Sequence, residues 1–412
     1  MKYIICGPAN PVQDTIYLPS SKSISNRMLI MNALAGKPTD IENLSSSDDT
    51  RLLQSALEVS TPVRNIGHAG TAMRFLTAYF ATREGKVVLT GSERMKQRPV
   101  GPLVKALREL GAGIRYMERE GCPPLEIEGG LRQGGRITVD GSISSQFISA
   151  LMMIGPILEG GLCISLTGDV VSFTYIRMTL SLMQRGGVEA LFDGKQIEVR
   201  QGEYRFGHCT VESDWSGASY WYQVAALLPG SGIRLPHLEK ESLQGDAILA
   251  RLFEKLGVES RFEPHAVTLR SEGAITPGSF SADFTGCPDL VQTCAATLCG
   301  LGIPFRLGGT RTLKIKETDR IEALRNELGK LGFKISADCD GNWIGWDGTR
   351  IPAGKDPVIE TYHDHRMAMA FAPLAIPLGR ITISDPMVVT KSYPGYWADL
   401  ERAGFSVSRA SS

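Results

Sequence analysis

The chain of 412 residues carries no net charge, because 44 lysines and arginines balance 44 aspartates and glutamates. Nucleic-acid coats and anionic membrane surfaces attract proteins with a clear basic excess, so neither is expected as a partner. Any positive potential must therefore be local. Paired cysteines are lacking as well. The eight cysteines, at positions 6, 122, 163, 209, 287, 294, 299 and 339, form no C-x-x-C motif, so neither a zinc knuckle nor a disulfide framework is signalled. They are expected to be reduced and mostly buried. Long apolar runs are missing too. The run Tyr3 to Cys6 is cut by Gly7-Pro8, and the stretch from Ala368 to Leu378 contains Pro373 and Pro377, so one is too short for a signal-peptide core and the other too short to span a bilayer. The expectation is a cytoplasmic protein without an anchor or transit segment. His363 and His365 stand two apart, but no third and fourth ligand lie nearby at zinc-site spacing, so no metal site is expected.

What is present is an ordinary soluble composition in a chain too long for one core, which points to two domains of roughly 200 residues each. A unit repeats along it. Segments beginning near Ala106, Leu180, Ala250, Leu324 and Trp397 each read as the end of an amphipathic helix, a glycine and a strand, with a returning strand in the first four. The marker glycines are Gly111, Gly187, Gly257, Gly332 and Gly404, separated by 76, 70, 75 and 72 residues. That spacing fits a βαβαββ unit rather than a short solenoid repeat. A degenerate sixth copy is expected around Leu52 to Val63, with Glu58 at the glycine position. Six units suggest three per domain. No Gly/Ser linker divides the halves, and the boundary is placed near Ser213-Asp214, after a strand ending at Glu212.

The chemistry-bearing signal is a recurring junction between a polar segment and an apolar helix. Lys22-Ser23-Ile24-Ser25-Asn26-Arg27 puts two cations and three small polar side chains at such a start. Exposed backbone N–H groups and the positive end of the helix dipole favour an anion there. Similar junctions occur at Gly70-Thr71-Ala72-Met73-Arg74, Ser144-Ser145-Gln146-Phe147, Asp214-Trp215-Ser216 and Asp364-His365-Arg366-Met367. Several such starts in one chain imply a ligand set with several negative groups.

Together with Arg98-Pro99, Pro288-Asp289, Lys316-Glu317-Thr318-Asp319-Arg320 and Lys391, these motifs occur in an order that resembles the EPSP synthase (3-phosphoshikimate 1-carboxyvinyltransferase) family of enolpyruvyl transferases. The resemblance covers nearly the whole chain. It implies an α/β fold of two similar globular domains, each of three βαβαββ units with buried helices (an inside-out α/β barrel), joined by a two-stranded hinge. The implied domains are 21–212 and, together, 1–20 with 213–412, with the active site in the cleft between them. The implied reaction joins phosphoenolpyruvate to the 5-hydroxyl of shikimate 3-phosphate, in aromatic amino-acid biosynthesis. The resemblance also implies a monomer that needs no cofactor and is inhibited by glyphosate.

Two phosphates and two carboxylates bring roughly five to six negative charges to the site. A neutral chain can answer them only by concentrating cations. By resemblance, shikimate 3-phosphate is met by Lys22, Ser23, Arg27, Ser144, Ser145, Gln146, Ser172, Tyr175, Asp289, Thr312 and Lys316. Phosphoenolpyruvate is met by Lys22, Gly70, Arg98, Gln146, Arg320, Arg366 and Lys391. The catalytic groups carried over are Lys22 at the bridging oxygen, Asp289 near the 5-hydroxyl and Glu317 near the methyl carbon. Read alone, Ser144-Ser145 is equally a plain helix cap and Tyr175 a core aromatic.

Several positions depart from the family pattern: Ser21 for Gly, His68 for Asn, Phe75 for Pro, Phe173 for Lys, Thr312 for Asn and His363 for Asn. Phe75 is expected to shift the Gly70 turn and weaken glyphosate inhibition. The related UDP-N-acetylglucosamine 1-carboxyvinyltransferases carry a Cys before the Arg-Pro motif, and Gly91 to Arg98 has none. A non-catalytic anion-binding paralogue is the reading from another class, with Lys22, Asp289 and Glu317 against it.

Overall fold

The computed structural model describes residues 1–273 and 277–410. Its contacts divide the chain into two compact units, one comprising Ser20–Val211 and the other Met1–Pro19 together with Glu212–Ser412. Among the described residues no helix is long and apolar enough to cross a membrane.

In the Ser20–Val211 unit, the strands Val63–Asn65, Lys86–Thr90, Leu125–Glu128 and Gly113–Tyr116 lie side by side in that order. The first pair is parallel and the other two are antiparallel. A second sheet repeats the pattern with Gln133–Asp140, Glu159–Thr167, Gln196–Val199 and Ala190–Phe192. Each parallel pair is bridged by a helix, Gly70–Thr82 or Ser145–Ile154, that is buried almost all round. Between Ala72 and Ala81 only Arg74 carries a charge, and the second helix carries none, so burial strands few ionic groups. The following helices, Gly101–Glu109 and Phe173–Arg185, bury one face only.

The third part of this unit is reduced. Helices Lys22–Leu34 and Asp48–Glu58 go with a two-stranded parallel pair, Ile41–Glu42 and Cys209–Thr210. The strand expected to reach Glu212 thus ends at Thr210. At the degenerate copy, the helix ends at Glu58 with an extended Val59 instead of a left-handed glycine.

The other unit holds three four-stranded sheets with the same order of pairing. The N-terminal segment contributes Gln13–Thr15 to one and Lys2–Cys6 to another. Helices Trp215–Leu227, Val291–Leu301 and His365–Phe371 are buried in its core. The first two carry no charged side chain, which is why they can be enclosed on every side. Helix Arg320–Lys330 alternates charged and apolar residues and buries one face.

All five marker glycines have positive φ, between 78° and 100°. There the chain reverses from helix to strand in a conformation that side-chain-bearing residues adopt at a cost. Of the eight cysteines, four are buried, three are intermediate and Cys339 is exposed, so fewer are enclosed than expected.

Gly329 and Gly332 provide an internal comparison. Gly329 lies within helix Arg320–Lys330 with open space where a Cβ would go, whereas Gly332 has φ +92° and the Ile351 carbonyl oxygen 3.1 Å from that position. Gly329→Ala should gain up to about 1 kcal/mol from helix propensity. Gly332→Ala should lose about 1–2 kcal/mol to backbone strain. Calorimetric melting temperatures should move in opposite directions, and shifts of the same sign would refute the assignment of strain to Gly332.

Candidate active site

In the Ser20–Val211 unit, the buried helices bring their N-termini close together. Helix Lys22–Leu34 is capped by Ser21, whose Oγ accepts from the Ile24 N–H at 3.4 Å. Lys22 at its first position pairs with Asp49 at 3.2 Å, and Asp49 is 2% exposed. Helix Gly70–Thr82 has no side-chain cap, which leaves its first N–H groups without a side-chain acceptor. Gln146, in the first turn of helix Ser145–Ile154, donates from Nε2 to Thr71 Oγ1 at 3.3 Å and so links two of these starts. Ser144 Oγ accepts from the Gln146 N–H at 3.3 Å, so the plain cap is present whatever else the side chain does.

Gly70 is needed for close approach. A Cβ there would lie 2.4 Å from Arg98 Nη1. Arg74 ties the same corner together by donating to the Gly70 carbonyl at 2.9 Å and the Pro99 carbonyl at 2.8 Å. Arg27 is 2% exposed, and burial lowers its guanidinium to about 10, still charged at neutral pH. Ser172 precedes helix Phe173–Arg185 in a left-handed conformation, φ 53°, costly for a non-glycine residue. Tyr175 lies in the first turn of that helix, with its ring against Arg27.

In the other unit, Arg320 is the hub. It begins helix Arg320–Lys330, is 1% exposed, and donates to Asp364 at 2.7 Å, Asp289 at 3.0 Å and Glu317 at 3.0 Å. Asp289 also pairs with Arg366 at 2.8 Å and Lys316 at 3.7 Å. Glu317 also accepts from Lys391. Burial lowers the affinity of Arg320 for its proton, but Asp364, Glu317 and Asp289 together outweigh that and raise it. Burial holds the Lys316 ammonium below the ordinary lysine value, against the opposing pull of Asp289. Four cations thus meet three carboxylates. The candidate residues Asp289, Lys316, Glu317, Arg320, Arg366 and Lys391 form one connected network. Thr312 Oγ1 is buried without a hydrogen-bond partner and does not join it. Lys22, Arg27, Gly70, Arg98 and the serines belong to the Ser20–Val211 unit.

Neither histidine at 363 or 365 lies on a strand. His363 has φ 56° and is exposed, while His365 is 1% exposed in a helix whose first turn Asp364 caps. Among the described residues no group of three or more His, Cys, Asp or Glu could hold a metal ion. Phe75 is fully buried with its ring against Arg27, 5.3 Å from the guanidinium carbon.

Four residues at these sites were not singled out from sequence. Asp49 reads as a routine acid in the first turn of a helix. Asp364 reads as a cap, and it is one, but it also pairs with Arg320. Arg74 reads only as the last residue of the Gly70-to-Arg74 helix start. Asp246 gives no signal beyond the tripeptide Gln244-Gly245-Asp246. It is 4% exposed and accepts from Ser216 Oγ, which lies 3.4 Å from Arg366 Nη2. Burial, and then the negative charge of Asp289, push its carboxyl up to about 7.

Buried and half-buried carboxylates held by cations, together with uncapped or small-residue helix starts, suit a protein that handles small polyanions by acid–base chemistry. A family model described as EPSP synthase (3-phosphoshikimate 1-carboxyvinyltransferase) matches residues 7–59 and 54–400. The chain belongs to this family. It is 50% identical over 408 residues to a 3-phosphoshikimate 1-carboxyvinyltransferase of Bacteroides fragilis, covering 99% of both chains. It is 37% identical to one of Sulfurovum sp., covering 97% of this chain and 99% of the relative. An EPSP synthase structure from Acinetobacter baumannii shares the fold with a TM-score of 0.79 at 21% identity, covering 99% of this chain and 100% of that one.

Asp246 makes stability depend on pH. From the ordinary value of 3.8 up to about 7, the folded protein keeps a proton that the unfolded chain has released. The stability this contributes is complete below the lower value and is lost as pH rises through the upper one. Asp246→Asn cannot release that proton. Its melting temperature relative to wild type should therefore rise between pH 5 and pH 8. A difference independent of pH would show that Asp246 does not titrate in this range.

Proposed function

We infer that this chain transfers the enolpyruvyl group of phosphoenolpyruvate to the 5-hydroxyl of shikimate 3-phosphate, releasing phosphate. It acts as a monomeric cytoplasmic enzyme of aromatic amino-acid biosynthesis, and glyphosate competes for its phosphoenolpyruvate site. Family membership supports the reaction. The observation that carries the mechanism is the network in which Arg320, Arg366, Lys316 and Lys391 hold Asp289 and Glu317.

Shikimate 3-phosphate is assigned to Lys22, Ser23, Arg27, Ser144, Ser145, Gln146, Ser172, Tyr175, Asp289, Thr312 and Lys316. Phosphoenolpyruvate is assigned to Lys22, Gly70, Arg98, Gln146, Arg320, Arg366 and Lys391. Asp289 and Glu317 are counter-ions of the cations that these anions require. An arriving phosphate or carboxylate competes for the cations, and each carboxylate that loses part of its pairing becomes a stronger base. In the addition step Asp289 takes the proton of the 5-hydroxyl as its oxygen bonds to the central carbon. Glu317, having taken up a proton from solvent once its cations turn to the incoming anions, delivers it to the methylene carbon, giving a methyl group and a tetrahedral intermediate. In the elimination step Glu317 removes a methyl proton, the double bond re-forms, and the bond to the phosphate oxygen breaks. Lys22 protonates that oxygen, so phosphate departs without an uncompensated charge.

Phosphate release in the presence of phosphoenolpyruvate tests this directly. Release with shikimate 3-phosphate and none with UDP-N-acetylglucosamine is expected, and the reverse preference would overturn the reading. Protein dialysed against a chelator should keep its activity, whereas loss restored by a divalent cation would contradict the cofactor-free scheme. Glu317→Gln and Asp289→Ala should each lower kcat by at least about 10²-fold, within the range of general acid–base groups. Circular dichroism should show the fold retained, and near-normal turnover in either variant would remove that residue from the scheme.

A further inference from the structure

Arg27 is a buried cation of an unusual kind. It is 2% exposed, yet among the described residues no carboxylate lies within ion-pair distance of it. Its N–H groups meet neutral acceptors instead. Nε donates to Thr179 Oγ1 at 2.7 Å, Nη1 to the Ser23 carbonyl at 3.0 Å, and Nη2 to Ser149 Oγ at 3.1 Å and the Tyr175 carbonyl at 3.5 Å. These partners come from its own helix, from Ser145–Ile154 and from Phe173–Arg185. The remaining contacts are aromatic, with the guanidinium carbon over the Phe75 ring at 5.3 Å and over the Tyr175 ring at 5.7 Å.

Burying a cation is costly unless something replaces its hydration. Neutral acceptors satisfy N–H groups but supply little countercharge. The aromatic faces, negative at their centres, supply the rest, and they are worth most where water is excluded. Phe75 is fully buried and belongs to helix Gly70–Thr82, so its ring ties the helix that carries Gly70 and Thr71 to the cation.

We propose that Phe75 is a positioning residue. With Tyr175 it forms an aromatic slot that holds the Arg27 charge in place for the anionic groups of shikimate 3-phosphate, with Arg98 left to serve phosphoenolpyruvate. The proposal rests on the substrate assignment made above.

Phe75→Leu and Phe75→Met remove the ring while keeping apolar bulk, and Phe75→Tyr keeps it. Shikimate 3-phosphate binding to the full-length protein is measured by titration calorimetry, the KM for phosphoenolpyruvate by phosphate release, and the melting temperature alongside. The Leu and Met variants should bind shikimate 3-phosphate about three- to tenfold more weakly, with the phosphoenolpyruvate KM and the Tyr variant staying within about twofold of wild type. A folded Leu or Met variant that binds shikimate 3-phosphate as wild type does would overturn the proposal and leave the substrate assignment standing. Parallel weakening of both substrates in step with melting temperature would also overturn it, by reducing Phe75 to packing. Wild-type protein that binds no shikimate 3-phosphate would overturn the substrate assignment and the proposal together.

Discussion

One buried guanidinium organises the Glu212–Ser412 part of the molecule. Arg320 reaches Asp364, Glu317 and Asp289 from a position 1% exposed, each through a different nitrogen, so its fork spans carboxylates that a lysine would have to gather around one atom. Its hold on Asp289 and Glu317 brings Arg366, Lys316 and Lys391 within reach of the same carboxylates. Such a cluster adds little net stability, since desolvation offsets much of the attraction. Its consequence is chemical. Carboxylates and cations are stored as mutual partners, and an anionic ligand that displaces one member alters the basicity of the next.

The Ser20–Val211 unit presents its cations differently. There Lys22 has one buried carboxylate partner, while Arg27 is held by hydroxyls, carbonyls and two aromatic rings. A cation without a countercharge attracts an anion continuously, whereas one already paired must exchange partners first. The two units therefore hold their cations in two different ways. Both rest on the same architectural choice, which is to enclose helices nearly free of charge and let their N-termini meet. Where Gly70 leaves room, the Arg98 side chain fills it.

Much of the fold was legible in sequence because its signals are local. The five marker glycines reverse the chain at helix ends, and a left-handed φ is a requirement that glycine alone meets cheaply. Helix Val291–Leu301 carries no charge, but the burial of such helices was implied only by the family resemblance. The sixth repeat was less legible. Its glycine is replaced by Glu58, Val59 stays extended, and the sheet beside it has two strands, features that depend on pairing partners far along the chain. His363 and His365 stand two apart in sequence, but a left-handed turn and a helix start separate their surroundings.

The sequence by itself determined the family, the repeat and the roster of cations and carboxylates, because each is a property of short segments or of their order. Only the tertiary structure decided which charge meets which. Asp289 and Arg366 are 77 residues apart, and Arg27 and Thr179 are 152 apart. The burial of Asp246, the double pairing of Asp364 and the ring of Phe75 over Arg27 arise only when separate helix ends are packed together. Coulombic and cation–π energies depend on distance and local dielectric. Neither quantity exists for a side chain until the core around it has closed.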